Sequence, residues 1–226
     1  MKIITNEKLI TRNIRLGFAA TMGAILLLVT MVWVTQDSIN FLLFTGLLFV
    51  AFLLAQIGNI LSRYGKRLDL LLNEGLRKLP TDFTLYHHHA PAHHLLVGPT
   101  GLWILLPKTT RGHIMYDQNR NRWKRSGGGF SRFLEGLGRP DLELANQADS
   151  IDRFLAGEWD PEENLFVNAV IAFTNAKTTV DADHAPVPTI LLKDLKKLVG
   201  APNQKTGLRP AQVKRLNRLL GGRTEA

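Results

Sequence analysis

The 226-residue chain contains no cysteine. That excludes a disulfide framework, a thiol nucleophile and any zinc–thiolate site. Acidic residues are also in short supply, with 19 Asp and Glu against 28 Lys and Arg, a net charge of +9. An excess of this sign favours polyanionic partners, and the phosphates of nucleic acid and of anionic lipid satisfy it equally. There is no internal repeat. Gly127-Gly128-Gly129 lacks the Lys-Ser/Thr pair and the following helix of a phosphate-binding loop, so a nucleotide cradle of that kind is excluded. With 45% apolar residues, the size suits one domain plus an additional element.

Charge is absent altogether from two stretches, residues 17–35 and 39–57, separated only by Gln36-Asp37-Ser38. As helices, each covers about 28 Å at ~1.5 Å per residue, close to the ~30 Å of a bilayer's hydrocarbon core. The expectation is a transmembrane helical hairpin. A cleaved signal peptide fits poorly, because no small-x-small site follows Val32-Trp33-Val34-Thr35 and a second apolar run comes next. Lys2, Lys8, Arg12 and Arg15 precede the first run; Arg63, Lys66, Arg67, Arg77 and Lys78 follow the second; the connection has no basic residue. The positive-inside rule then places both termini and the soluble domain in the cytoplasm, in an inner or plasma membrane, with Asp37 outside. Small residues at i, i+4 (Ala19/Gly23, Ala20/Ala24, Ala51/Ala55) allow close helix approach, or reflect ordinary membrane composition. Four segments result: a basic N-terminus at 1–16, the spans, a cytoplasmic domain at 58–220 and a disordered tail at 221–226.

In the cytoplasmic part, Leu61, Tyr64, Leu68, Leu71, Leu72, Leu76 and Leu79 recur at helical spacing up to Pro80, a pattern that can continue the second span. Phe83 to His87 reads as a strand. His94 to Lys108 reads as two apolar strands around the turn Gly98-Pro99-Thr100-Gly101, with Lys108 delivered to the sheet rim. Phe166 to Thr174 is a further buried strand and Thr189 to Leu191 a short one. Helices are expected around Leu142 to Leu155, over Lys193 to Val199 and over Pro210 to Leu220.

His93-His94-Leu95-Leu96-Val97-Gly98-Pro99-Thr100-Gly101-Leu102-Trp103-Ile104-Leu105-Leu106-Pro107-Lys108 resembles the core of the nuclease-related domain, NERD. Val167 to Asn175, Val187 to Ile190 and the Leu-rich helix after them extend the resemblance, which covers roughly residues 62–220. It implies an α/β fold with a restriction-endonuclease-like core, a mixed central sheet flanked by helices, of the PD-(D/E)xK type. In that family two carboxylates hold Mg²⁺ and a lysine orients the attacking water, and Glu-x-Lys puts both side chains on one strand face. Carried over by position, the helix Glu falls on Lys66, the Asp before His falls on His93, and the Glu of Glu-x-Lys falls on Leu106. Only Lys108 matches. Gln147 can correspond to a Gln on the helix after the core, or be an exposed helical residue.

The implied function is a membrane-anchored NERD-like protein with a degenerate nuclease site, expected to lack catalytic residues and cofactor. It would bind nucleic acid or another polyanion, or act as a scaffold. An active nuclease with rearranged ligands would instead need Mg²⁺. A structural membrane protein contacting anionic lipid is the third reading. The polyanion candidates are Arg111, Arg120, Arg122, Lys124 and Arg125, in a basic stretch with Trp123 and Phe130 interleaved. That stretch can track a nucleic-acid backbone, rest on headgroups or be a plain solvated loop. His87-His88-His89 and His93-His94 raise the possibility of a metal, with His87 and His89 on one strand face, but complete no ligating pattern of recognised spacing, and no metal site is expected.

Overall fold

Gly98 and Gly101 close a hairpin between β3 (His94–Gly98) and β4 (Gly101–Lys108), and the computed structural model builds its main sheet outward from there. It describes residues 1–34, 41–127, 137–159, 165–202 and 206–221. The two glycines are forced. A Cβ on Gly98 would lie 2.2 Å from the Phe83 ring, and Gly101 has φ +129 with the Thr206 carbonyl 2.8 Å from where its Cβ would be. The turn is held by Thr100 Oγ1 donating to the Val199 carbonyl (2.6 Å) and Leu208 N donating to the Pro99 carbonyl (2.9 Å).

β2 (Thr84–His87) pairs antiparallel with β3, and β1 (Lys2–Thr5) lies parallel outside it. On the other side β7 (Val167–Phe173) runs parallel to β4, and β9 (Thr189–Leu191) parallel to β7. The six-strand order is β1-β2-β3-β4-β7-β9. β3 and β4 are buried nearly throughout, as continuous apolar runs require.

Side chains alternate along these strands, giving each face its own core. Leu95, Val97, Leu102, Ile104, Leu106, Ile171 and Phe173 pack with Leu144, Ile151 and Leu155 of α4 (Pro140–Leu155) and with Leu216 and Leu220 of α6 (Pro210–Gly221). Leu85, Leu96, Trp103, Leu105, Val170 and Ala172 pack with Leu72 and Leu76 of α3 (Leu68–Leu76) and with Leu195 and Val199 of α5 (Leu192–Gly200). This is a mixed sheet with helices on both faces. α4 starts at Pro140, with Asp141 and Glu143 in its first turn where the helix dipole favours acid.

A second sheet, ordered β6-β5-β8, comprises β5 (Gly112–Asp117), β6 (Arg122–Ser126) and β8 (Thr178–Asp181). Asp117 accepts from Asn119 N and Arg120 N to close the turn into β6. β6 is a strand in the basic stretch for which a plain solvated loop was one of the readings; β6 and β8 are both short and polar, and each pairs with β5.

Residues 6–68 form a separate unit, a helical hairpin of α1 (Glu7–Val34) and α2 (Phe41–Gly65), whereas residues 1–5 and 69–226 form the α/β unit. Both helices are long and apolar enough to cross a membrane. Ile10, Asn13, Gly17, Ala24 and Met31 are buried on α1, and Ala51 and Gly58 on α2. With half-buried Ala20 and Leu27, and Phe44, Leu47, Leu54 and Leu61, each seam advances by alternating three and four residues, the pattern of a left-handed antiparallel pair. A Cβ on Gly17 would lie 2.8 Å from the Leu61 Cβ, and one on Gly58 2.3 Å from the Thr21 hydroxyl, so the helices touch closely there. Of the expected small-residue positions, Ala20, Ala24 and Ala51 are on the seam, while Ala19 and Ala55 face outward.

Three boundaries differ from the sequence expectation. Residues 1–16 are not one basic lead-in, since β1 joins the sheet and the helix starts at Glu7. Residues 17–34 and 41–57 of the two apolar runs lie within helices that extend past them into the polar flanks, back to Glu7 and on to Gly65; residues 35, 39 and 40 lie outside the described residues. α2 does not continue into α3: Arg67 has φ 43, a left-handed residue that ends the helix just after Gly65. Gln36-Asp37-Ser38, Phe130 and residues 222–226 lie outside the described residues; Gly221 closes α6.

Candidate functional site

Because β3 alone runs against them, β1, β2, β4, β7 and β9 all end on the same edge of the main sheet. The carboxyl edge is where open α/β sheets offer ligands a crevice. Two polar clusters form on it, one against α3 and one against α4.

The first joins β2 to β3. His87 and His94 are cross-strand partners, both buried, with Nδ1 atoms 2.8 Å apart. His87 Nε2 lies 2.9 Å from Asn73 Oδ1 on α3. An amide oxygen only accepts, so His87 Nε2 carries its proton; in the neutral ring Nδ1 then accepts from His94 Nδ1–H. Burial, and then the neighbouring His87, His88 and His93, push the His94 pKa well below 6.5 and keep it neutral. His88 turns the chain at φ 53 and donates its N–H to the His93 carbonyl at 2.8 Å. Its pKa is lowered to about 4 by burial and by His93, with Asp69 opposing. Asp69, on the first turn of α3, is itself buried at 2% exposure. Tyr86 OH donates to Asn217 Oδ1 at 2.9 Å, and burial raises its pKa to about 12.

The turn at His88 also separates His87 from His89: they share no strand face, and His89 stacks on Tyr86 with ring centroids 6.0 Å apart. Among the described residues no group of three His, Asp or Glu side chains is arranged to hold a metal ion.

The second cluster is on the opposite face. Lys108 ends β4 and its Nζ lies 2.6 Å from Glu143 Oε2 on α4, with the two side chains 21% and 33% exposed. One helical turn on, Gln147 is 7% exposed and its Oε1 accepts from the backbone N–H of His93 at 3.1 Å. That bond fixes the amide orientation and leaves Gln147 Nε2 buried without a partner among the described residues; Trp103 and Trp123 Nε1 share that state. Gln147 is therefore an inward residue. Leu106 is 4% exposed within the apolar core, and His93 is exposed at the strand entrance. Lys66 is exposed between α2 and α3 and belongs to the hairpin unit, whereas the three other motif positions belong to the α/β unit. Glu143 and Asn73 were not anticipated. The i, i+4 relation of Glu143 to Gln147 on a Pro-initiated helix was the available signal.

The five basic candidates do not form one stripe. Arg122 and Lys124 share the outer face of β6 with Asp117 and Asp181, and Lys124 Nζ lies 2.6 Å from Asp117 Oδ2. The Lys124 hydrogen bond comes first among the causes that hold the Asp117 pKa down. Arg125 projects to the other face, where its Nε donates to the Arg111 carbonyl at 2.5 Å. Trp123 also turns inward, 5.1 Å from Tyr116 between ring centroids, and so is not a stacking platform. Arg111, Arg120 and Arg122 are exposed.

No family model, curated protein or solved structure matches the chain.

Proposed function

We propose that this is a membrane-anchored NERD-like protein with a restriction-endonuclease-like core, retained to bind a polyanion and not to cut it. The observation that carries this reading is at the end of β4. The position where the resemblance calls for a carboxylate is Leu106, embedded in the apolar core, and the lysine two residues on is held by Glu143. A hard divalent cation needs several anionic oxygens on one side, and the Leu106 position offers hydrocarbon. The order of α3, hairpin, α4 with its Gln147, and β7 agrees with the resemblance. Nucleic acid is the polyanion this reading names, met by Arg111, Arg120 and Arg122, with Lys124 and Arg125 at the margin. The membrane reading rests on α1 and α2, with the α/β unit cytoplasmic by the charge rule.

The test is a titration of Mg²⁺ and Mn²⁺ on the detergent-solubilised full chain, following nucleic-acid cleavage and thermal stability together. No cleavage and no metal-dependent shift are expected. Metal-dependent cutting that Lys108→Ala and Glu143→Gln both abolish would overturn the proposal in favour of an active site with rearranged ligands, with Glu143 as one of them.

A further inference from the structure

One face of α1 changes chemistry partway along its length. Lys8, Arg12 and Arg15 are exposed on a single face at i, i+4 and i+7. None has a carboxylate partner among the described residues, because the nearby acid, Glu7, is held by Arg67 of the same unit at 2.8 Å. With Glu7, Thr11 and Leu16 they form one open surface patch on α1. Continuing at the same spacing, the face becomes Ala19, Met22, Leu26, Val29 and Trp33, of which the last four are 43%, 64%, 50% and 73% exposed. Arg15 to Leu26 spans about 16 Å of helix, the depth of one leaflet. α2 returns alongside, with Leu61 level with Gly17, and adds exposed Arg63 near the depth of Arg15.

The geometry points to an anionic phospholipid bound along this face, its phosphate among Lys8, Arg12 and Arg15 and an acyl chain over Ala19, Met22 and Leu26. A nucleic acid would use the cations but not the apolar continuation, and a zwitterionic lipid would use the apolar continuation but gain little from three unopposed cations. The site rests on the membrane reading of α1 and α2. It uses none of the basic residues that the proposed function assigns to nucleic acid, all of which belong to the other unit.

The test is native mass spectrometry of the full chain in mild detergent, titrated with phosphatidylglycerol and phosphatidylcholine. Phosphatidylglycerol is expected to bind at least about tenfold more tightly. Each cation removed should cost about fivefold, bringing the K8Q/R12Q/R15Q variant on the order of 100-fold down. The charge-preserving K8R/R12K/R15K variant and the R122Q/K124Q variant should bind as the parent does. Equal binding of the two lipids, or undiminished binding by the triple Gln variant, overturns the proposal. If that variant does not accumulate, Arg15→Gln alone decides: a fivefold loss supports the site and no loss removes it. Release of the parent chain from membranes by alkaline carbonate would instead remove the membrane reading beneath it.

Discussion

The two clusters on the carboxyl edge sit on opposite faces of one sheet and differ in how far they are satisfied. His87 and His94 are buried and Asn73 is half-buried, and each ring nitrogen of His87 has a partner within the group. The Lys108, Glu143 and Gln147 group is partly open and leaves a buried amide donor without a partner among the described residues. A closed polar network specifies the fold, and an incomplete one at the sheet edge is where a ligand atom or water completes the set. The histidines that attract notice in the sequence are thus tied to one another and to α3, and the less conspicuous α4 residues carry the unsatisfied group.

Breaking the closed cluster has the largest expected effect. His94→Leu leaves His87 Nδ1 buried without its donor and should cost about 1–3 kcal/mol of unfolding free energy in a denaturant titration. A loss below a few tenths would show that the two rings are not coupled. The next contrast is in pH. His94 and His88 have lowered pKa values in the folded chain, so the unfolded chain binds protons first. Their stability is complete above about pH 6.5 and is lost as pH falls towards the folded values, about 4 for His88. Thermal midpoints at pH 7.5 and 5 should show this drop, reduced in His94→Leu and unchanged in Lys108→Met.

Opening the second cluster should do less. A double-mutant cycle of Lys108→Met and Glu143→Gln is expected to give a coupling of about 0.2–1 kcal/mol, as for other solvent-accessible ion pairs. A larger value would mean that this cluster is closed too. Smallest in structural terms is Arg111→Ala with Arg120→Ala and Arg122→Ala. Stability should stay within about 0.5 kcal/mol, while the salt slope of duplex binding falls by about 0.9 for each phosphate no longer neutralised. An unchanged slope would exclude this surface as the one that meets nucleic acid.

The hairpin and the downstream strands were legible because burial on both faces writes long apolar runs, and Gly98 and Gly101 punctuate them. Lys108 was legible as a rim residue for the same reason. β1 was not, since four residues at the chain start gain their partner 82 positions later, with Lys2 opposite Thr84. Glu143 escaped notice because its partner is on another element, 35 residues away. The basic stretch misled in detail: alternation along β6 sends Arg125 and Trp123 to one face and Arg122 and Lys124 to the other, which no tally of charges conveys.

The division of the α/β unit around the helical hairpin has a consequence for biosynthesis. β1 is synthesised before α1 and α2, yet β2, the strand it pairs with, is made only after them. The sheet therefore cannot gain its outer strand until both apolar helices have been synthesised, and on the membrane reading proposed above their insertion would precede completion of the fold. For the same reason a truncation that begins after the helices removes a strand along with the anchor, whereas a short linker from Thr5 to Asp69 keeps the sheet whole.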